Sequence, residues 1–200
     1  MTPSIIPRTA MRVGRYEVIR RIATGSATEL YLARLIGLED FRKLVVLKWM
    51  RDDVADFERV QQAFVREAKI AARLDHPNIV HTVDLGLAQG RHFVAMEYVH
   101  GETAATLLGR AGAVPLDCAL RIATELLAAL EHAHERADDD GTPLGIVHRD
   151  VTATNVIVTY DGRVILVDFG IARASAWDDV TYTGEIRDKL DRLAPEQVRG

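Results

Sequence analysis

Two short stretches, His148-Arg-Asp-Val-Thr-Ala-Thr-Asn155 and Val164-Ile-Leu-Val-Asp-Phe-Gly170, carry the residue types best suited to chemistry. Between them stands Asp161-Gly162, a pair that favours a two-residue hairpin turn because both central positions of such a turn need positive φ. With that turn closed, Tyr160 is expected opposite Arg163, Thr159 opposite Val164, and Asn155 opposite Asp168. Directly opposed residues share a sheet face with Cβ atoms about 4.5–5.5 Å apart. The register thus predicts an amide oxygen and a carboxylate meeting at the open end of a hairpin, with Asp150 just before it. Hard oxygen ligands beside a further carboxylate suit Mg²⁺ and a phosphate chain.

The elements that must position these residues can be read along the chain. Residues 1–14 hold two prolines and no clean period, so they read as an N-terminal arm. From Tyr16 the pattern is strand-like, with β-rich runs at 16–22, 30–34 and 43–49, broken by Gly25 and Gly37. A helix is expected over about 56–74, stopped by Asp75-His-Pro-Asn78. Two more strands fit 79–87 and 92–99, and after Gly101 helices fit 103–110 and 116–137, the second closed by an acidic turn at 138–141. Strands first and helices later predict an α+β chain of two lobes, residues 15–98 and 99–200, with a cleft between them.

The first lobe carries its own clue. Val60, Phe64, Ala71 and Leu74 form an apolar stripe at helical spacing, and Glu67 lies within it. A carboxylate facing a core needs a partner, because burying it alone is costly. Lys48 is the one charge inside Leu44-Val-Val-Leu-Lys-Trp-Met50 and is the candidate. Such a pair would hold an ammonium where phosphate could use it. A structural ion pair or a lysine stem lying over apolar surface would read the same way.

Composition bounds the class. The chain has 200 residues, 48% of them apolar, with a formal charge of −4, which excludes wholesale disorder and argues against a general nucleic-acid binder. Its one cysteine, Cys118, cannot form an internal disulfide and is expected to pack as a small hydrophobe; a reducing, cytoplasmic setting follows as the expectation. No run approaches the roughly 18 apolar residues of a membrane span. His132 and His134 are two apart on a helix and point in different directions, and Asp138-Asp-Asp-Gly141 lacks the alternating ligands of a calcium loop.

Taken together, Val45-Val-Leu-Lys48, Glu67, Met96-Glu-Tyr-Val99, His148-Arg-Asp150 with Asn155, Asp168-Phe-Gly170 and Ala194-Pro-Glu196 occur in one order over nearly the whole chain. In that order they resemble the eukaryotic-type (Hanks-type) Ser/Thr protein kinases of bacteria. The resemblance implies a bilobal fold: a β-rich first lobe with one key helix and a mostly helical second lobe. It implies transfer of the γ-phosphate of ATP, with Mg²⁺, to Ser or Thr of a protein substrate. Lys48 would hold the α/β-phosphates, positioned by Glu67; Asp150 would orient the acceptor hydroxyl; Asn155 and Asp168 would hold the metal. Main-chain groups of Glu97 and Val99 would meet the adenine edge behind Met96. Ile22, Leu30, Val46 and Ile157 would enclose the ring, and Gly25 would cover the phosphates. His148 would act as structural support. Arg149 would pair with a phosphate on the loop at Thr181 or Thr183.

Departures from the family pattern leave alternatives open. The phosphate-covering loop reads Ala23-Thr-Gly-Ser-Ala-Thr-Glu-Leu30, with one of three glycines, so Cβ atoms at Ala23 and Thr28 are expected to hinder nucleotide approach. Thr152 stands where most relatives carry a lysine, which predicts slower transfer. Arg187-Asp-Lys-Leu-Asp-Arg-Leu193 lacks the usual glycine and aromatic of the peptide-docking segment. A chain ending soon after Ala194-Pro-Glu196 is expected to be an incomplete second lobe, leaving His148 and the 116–137 helix without hydrophobic backing. A pseudokinase-like binding module is therefore the alternative to an active enzyme. A small-molecule phosphotransferase is disfavoured, because those enzymes lack such an activation segment.

Overall fold

A computed structural model describes residues 11–54 and 57–169. Thr181, Thr183, residues 187–193, Ala194-Pro-Glu196 and Gly170 lie outside the described residues. The chain divides into two compact units. One gathers the described residues up to Gln61 with His81–Tyr98; the other gathers Gln62–Val80 with the described residues from Val99 onward.

The first unit is an antiparallel sheet of β1 (Arg12–Val13), β2 (Tyr16–Thr24), β3 (Thr28–Ile36), β4 (Arg42–Met50), β5 (Thr82–Ala88) and β6 (Arg91–Glu97), in the order β1-β2-β3-β4-β6-β5. Period-two patterning decides its faces. Along β4, Val45, Leu47 and Trp49 turn into the core with Tyr16, Ala33, Leu35, Phe93 and Ala95. Val46 and Lys48 take the opposite face. Tyr16 is fully buried, and its hydroxyl donates to Asp84 at 2.8 Å. Burial is the main reason its ionisation is pushed up to about 12, and the carboxylate adds to the shift.

The second unit holds most of α1 (Phe57–Ala71), then β7 (Gly101–Thr103), α2 (Ala104–Ala111), α3 (Leu116–His134), β8 (Val156–Thr159) and β9 (Val164–Leu166). Thr103 caps α2 by accepting from Thr106 N–H at 3.1 Å, and Gly112 closes it in a positive-φ conformation. The helices run shorter than their sequence periodicity suggests. α1 ends at Ala71, so Leu74 enters the core from the following turn; on the helix the buried positions are Ala63, Phe64 and Ala68. α3 ends at His134, because the backbone from Arg136 folds back, with Leu144 N–H donating to Arg136 O at 2.9 Å.

The core of this unit joins Leu74, Ile79, Ala129, Ala133, Ile146, Val156, Val164, Leu166 and Phe169. Only the C-terminal half of α3 supplies fully buried residues; Leu116 and Leu127 are 74% and 66% exposed. Cys118 sits on the exposed first turns of α3, which corrects the expectation that it packs inside. No helix among the described residues is long and apolar enough to cross a membrane.

Candidate active site

The stretch that carries Asn155 and Asp168 is built on the β8–β9 hairpin, and here the register differs from expectation. Val156 pairs with Leu166, Ile157 with Ile165 and Val158 with Val164. The ladder is shifted by one residue, so Asn155 does not oppose Asp168. The cause is the turn. It is a three-residue loop in which Gly162 takes φ +86° and its N–H donates to Thr159 O at 2.9 Å. Thr159 Oγ1 locks it, accepting from Arg163 N–H at 2.8 Å and donating to Arg163 O at 3.1 Å. A shift of one residue exchanges faces, so side-chain opposition cannot bring the amide and carboxylate together.

The backbone does it instead. Val167 N–H donates to the main-chain carbonyl of Asn155 at 2.9 Å, which sets Asp168 one residue beyond the bond. The Asn155 side chain turns the other way: Nδ2 donates to Asp150 O at 2.9 Å and to Asp150 Oδ2 at 3.0 Å. Asn155 thus ties Asp150 and the Asp168 segment into one frame. With its amide nitrogen committed, the atom it can offer a cation is Oδ1. Asp150 and Asp168 are both half-buried. Arg149 and Asp168 hold φ of +63° and +61°, a left-handed conformation that costs energy in residues with a Cβ and clusters at functional sites.

His148 supports this frame and, at 1% exposure, is buried, which corrects the expectation that it loses its backing. Asp150 N–H donates to Nδ1 at 3.3 Å, so Nδ1 is an acceptor and the ring proton sits on Nε2, facing Val167 O at 3.3 Å. Phe169 lies against the imidazole with ring centres 4.5 Å apart. Thr152 and Thr154 join hydroxyls at 2.7 Å, a link that spacing alone does not announce.

A second anchor also lies beyond sequence reasoning. Asn78 Nδ2 donates to Glu125 Oε2 at 2.9 Å and to Val164 O at 2.8 Å, and Val164 N–H donates to the same Glu125 oxygen at 3.0 Å. Glu125 of α3 thereby holds the start of β9 to the turn after α1. A lone carboxylate in an otherwise apolar helix segment was the available signal. Its acid is held below the usual carboxylate range, first by the Arg121 guanidinium and against burial, with help from Val164 N–H and Asn78.

In the first unit, the ladder places Leu30 opposite Lys48 and Lys48 opposite Val94; Leu32 opposes Val46, and Val46 opposes Met96. Leu30, Val46, Lys48 and Met96 therefore share one sheet face, an apolar surface carrying one ammonium. Glu97 N–H is committed to His81 O at 3.0 Å, so its carbonyl is what it can offer a hydrogen-bonding ring edge. Ile22 occupies an irregularity between Arg21 and Ala23 where β2 loses register with β3, and it is 42% exposed. Glu67 on α1, Val99 and Ile157 belong to the second unit and are half-buried.

The glycine-poor loop is a tight hairpin closed by Gly25 N–H donating to Thr28 O at 2.8 Å. No residue from Ala23 to Thr28 has a positive φ. This backbone makes no conformational demand for glycine at Ala23 or Thr28.

The oxygen donors present fit a magnesium nucleotide: Asn155 Oδ1 and the Asp168 carboxylate are hard ligands. Among the described residues, no group of three or more His, Cys, Asp or Glu side chains could hold a metal.

Residues 16–199 match the family model "Protein kinase domain". The tyrosine-protein kinase MasK of Myxococcus xanthus is 40% identical over 191 residues, covering 94% of this chain and 30% of that protein. The serine/threonine-protein kinase PrkC of Bacillus subtilis is 35% identical over 187 residues, covering 94% of this chain and 27% of that protein. The chain thus spans under a third of the length of these relatives. The kinase domain of PknI from Mycobacterium tuberculosis superposes with a TM-score of 0.65 at 32% identity, over 81% of this chain and 61% of that one.

Proposed function

Because this chain belongs to the protein kinase family, we propose that it forms the catalytic part of an ATP-dependent protein kinase. In this reading it transfers the γ-phosphate of ATP to Ser or Thr hydroxyls of proteins, its own included, in the cytoplasm. The observation that carries the reading is the Asn155 frame, whose amide holds Asp150 and whose carbonyl holds the segment leading to Asp168. Mg²⁺·ATP supplies the transferable phosphoryl group and the divalent charge that offsets its oxygens.

The remaining chemistry belongs to the chain. Asp150 accepts a hydrogen bond from the acceptor hydroxyl and takes its proton as the oxygen attacks. Asn155 and Asp168 hold the metal, Lys48 neutralises the α/β-phosphates, and Glu67 positions Lys48. Ile22, Leu30, Val46 and Ile157 enclose the adenine, Met96 limits its depth, and main-chain groups of Glu97 and Val99 read its edge. Gly25 and its hairpin cover the phosphates. Thr181 and Thr183 are the proposed autophosphorylation sites, their phosphates paired with Arg149.

A second reading, nucleotide binding without transfer, is favoured by one observation: Thr152, in place of the lysine, spends its hydroxyl on Thr154. A phosphotransfer assay with labelled ATP and mixed Ser, Thr and Tyr acceptor peptides separates the two. Label transfer that disappears in Asp150→Asn supports the kinase. Mg²⁺·ATP binding with no transfer to protein or peptide supports the binding module. Tyrosine labelling alone would replace the acceptor class, as the name of the MasK relative suggests.

A further inference from the structure

We propose that Arg51 is a positioning residue for nucleotide phosphates, acting as a clamp on the hairpin at Gly25–Thr28; this rests on the nucleotide-binding reading above. Arg51 is the first residue after β4, three beyond Lys48. Its main-chain N–H donates to Ala27 O at 3.0 Å, and its Nη1 donates to Gly25 O at 3.2 Å. One residue therefore grips both carbonyls that flank Ser26. The guanidinium is itself fixed, since Nε donates to Asp53 Oδ1 at 2.7 Å and Nη2 to Asp53 Oδ2 at 2.5 Å. This two-pronged pairing orients the plane as well as the charge.

The consequence follows from peptide planarity. In a trans peptide, C=O and N–H point in opposite directions. Turning Gly25 O toward Arg51 turns Ser26 N–H away from it, and Ser26 N–H takes no partner among the described residues. The tip thus presents a donor whose direction Arg51 sets. Glycines in a phosphate loop let the backbone adapt to the anion, whereas this loop has one glycine and no positive φ. Order supplied by Arg51 and Asp53 stands in for that adaptability. Both side chains are partly solvent-exposed, 30% and 60%, so the clamp adds little to global stability. Its value lies in holding one peptide plane before the ligand arrives, which lowers the cost of binding.

The test compares wild type with Arg51→Met, Arg51→Lys and Asp53→Asn. Every variant keeps the main-chain bond to Ala27, so effects report the side-chain clamp. In the ligand-free protein, the ¹⁵N order parameter of Ser26 is expected to fall in Arg51→Met from a rigid value near about 0.85 toward about 0.6. The dissociation constant for Mg²⁺·ATP is expected to rise about three- to tenfold, the scale of one ordinary hydrogen bond, while adenosine binding stays within twofold. Arg51→Lys, which keeps the charge but not the fork, should recover part of the loss, and Asp53→Asn should show a smaller loss that shrinks further in high salt. In turnover the change should appear in KM for ATP and not in kcat.

An unchanged Ser26 order parameter, or equal weakening of ATP and adenosine, would overturn the clamp. Wild type that binds neither ATP nor adenosine would overturn the functional reading and the phosphate role with it. The order parameter would still decide whether Arg51 holds the turn.

Discussion

Replacing Glu125 tests how β9, and the Asp168 segment that follows it, is held in place. Glu125 accepts from Val164 N–H, Asn78 Nδ2 and Arg121 Nε, the last at 2.9 Å. Arg121 is 64% exposed, so its pairing with Glu125 adds little to stability. Val164 is 1% exposed, and an unpaired buried N–H costs about 1–3 kcal/mol. Glu125→Ala should therefore lower the free energy of unfolding by about 2–4 kcal/mol. Glu125→Gln keeps one acceptor oxygen but turns charge-assisted bonds into neutral ones, for a loss of about 1–2 kcal/mol.

Urea unfolding followed by circular dichroism, with an unchanged m-value, would read both losses. The acid form of Glu125 is less favoured in the folded state than in the unfolded one, so its contribution is complete above the ordinary value of 4.5. It is lost as pH falls through the lower folded value. The gap between wild type and Glu125→Gln should accordingly close below about pH 4.5. His76 is also held below its ordinary 6.5, by burial first and then by the His132 charge. Its contribution is therefore lost earlier in acidification, in both proteins alike, and cancels from the difference. If Glu125→Ala and Glu125→Gln both unfold within about 0.5 kcal/mol of wild type at pH 7, the anchor is wrong.

Other perturbations test other parts. Asp168→Asn should abolish the rise in melting temperature that Mg²⁺·ATP produces over ATP with EDTA; an undiminished rise would remove Asp168 from the metal site. Gly101→Ala would place a Cβ 2.3 Å from Val158 O and 2.7 Å from Thr159 Cα, both backbone atoms that cannot swing aside. It should cost more than about 2 kcal/mol, and a loss under about 0.5 kcal/mol in urea unfolding would show that β7 does not approach β8 so closely. Spectrophotometric titration should find one tyrosine ionising near 12, and Tyr16→Phe should remove that step. Survival of the step would reassign it. Tyr16→Phe should also destabilise by about 0.5–1.5 kcal/mol, because it deletes the bond to Asp84.

The two-unit character, the strand and helix types, and the residues proposed for chemistry were legible in the sequence because each leaves a local mark. Alternating Val45, Leu47 and Trp49 against Val46 and Lys48 records which face of β4 is buried, and partner strands can only comply. Runs such as His148-Arg-Asp150 and Asp168-Phe-Gly170 keep their spacing whatever the rest of the chain does. Register was not legible in this way. Asp161-Gly162 fits a two-residue turn as readily as the three-residue one, and the choice belongs to Thr159, whose hydroxyl closes the longer loop on Arg163.

That choice moved Asn155 off the face of Asp168, and the backbone bond to Val167 restored their association by another route. The same holds for Glu125 with Asn78 and for Arg51 with Gly25, pairs 47 and 26 residues apart. Local composition can flag one member of such a pair, as the lone carboxylate Glu125 does, but not the group it will meet. A hydrogen bond depends on distance and direction, and over such separations those are set only when the core closes around the strands that carry the two groups.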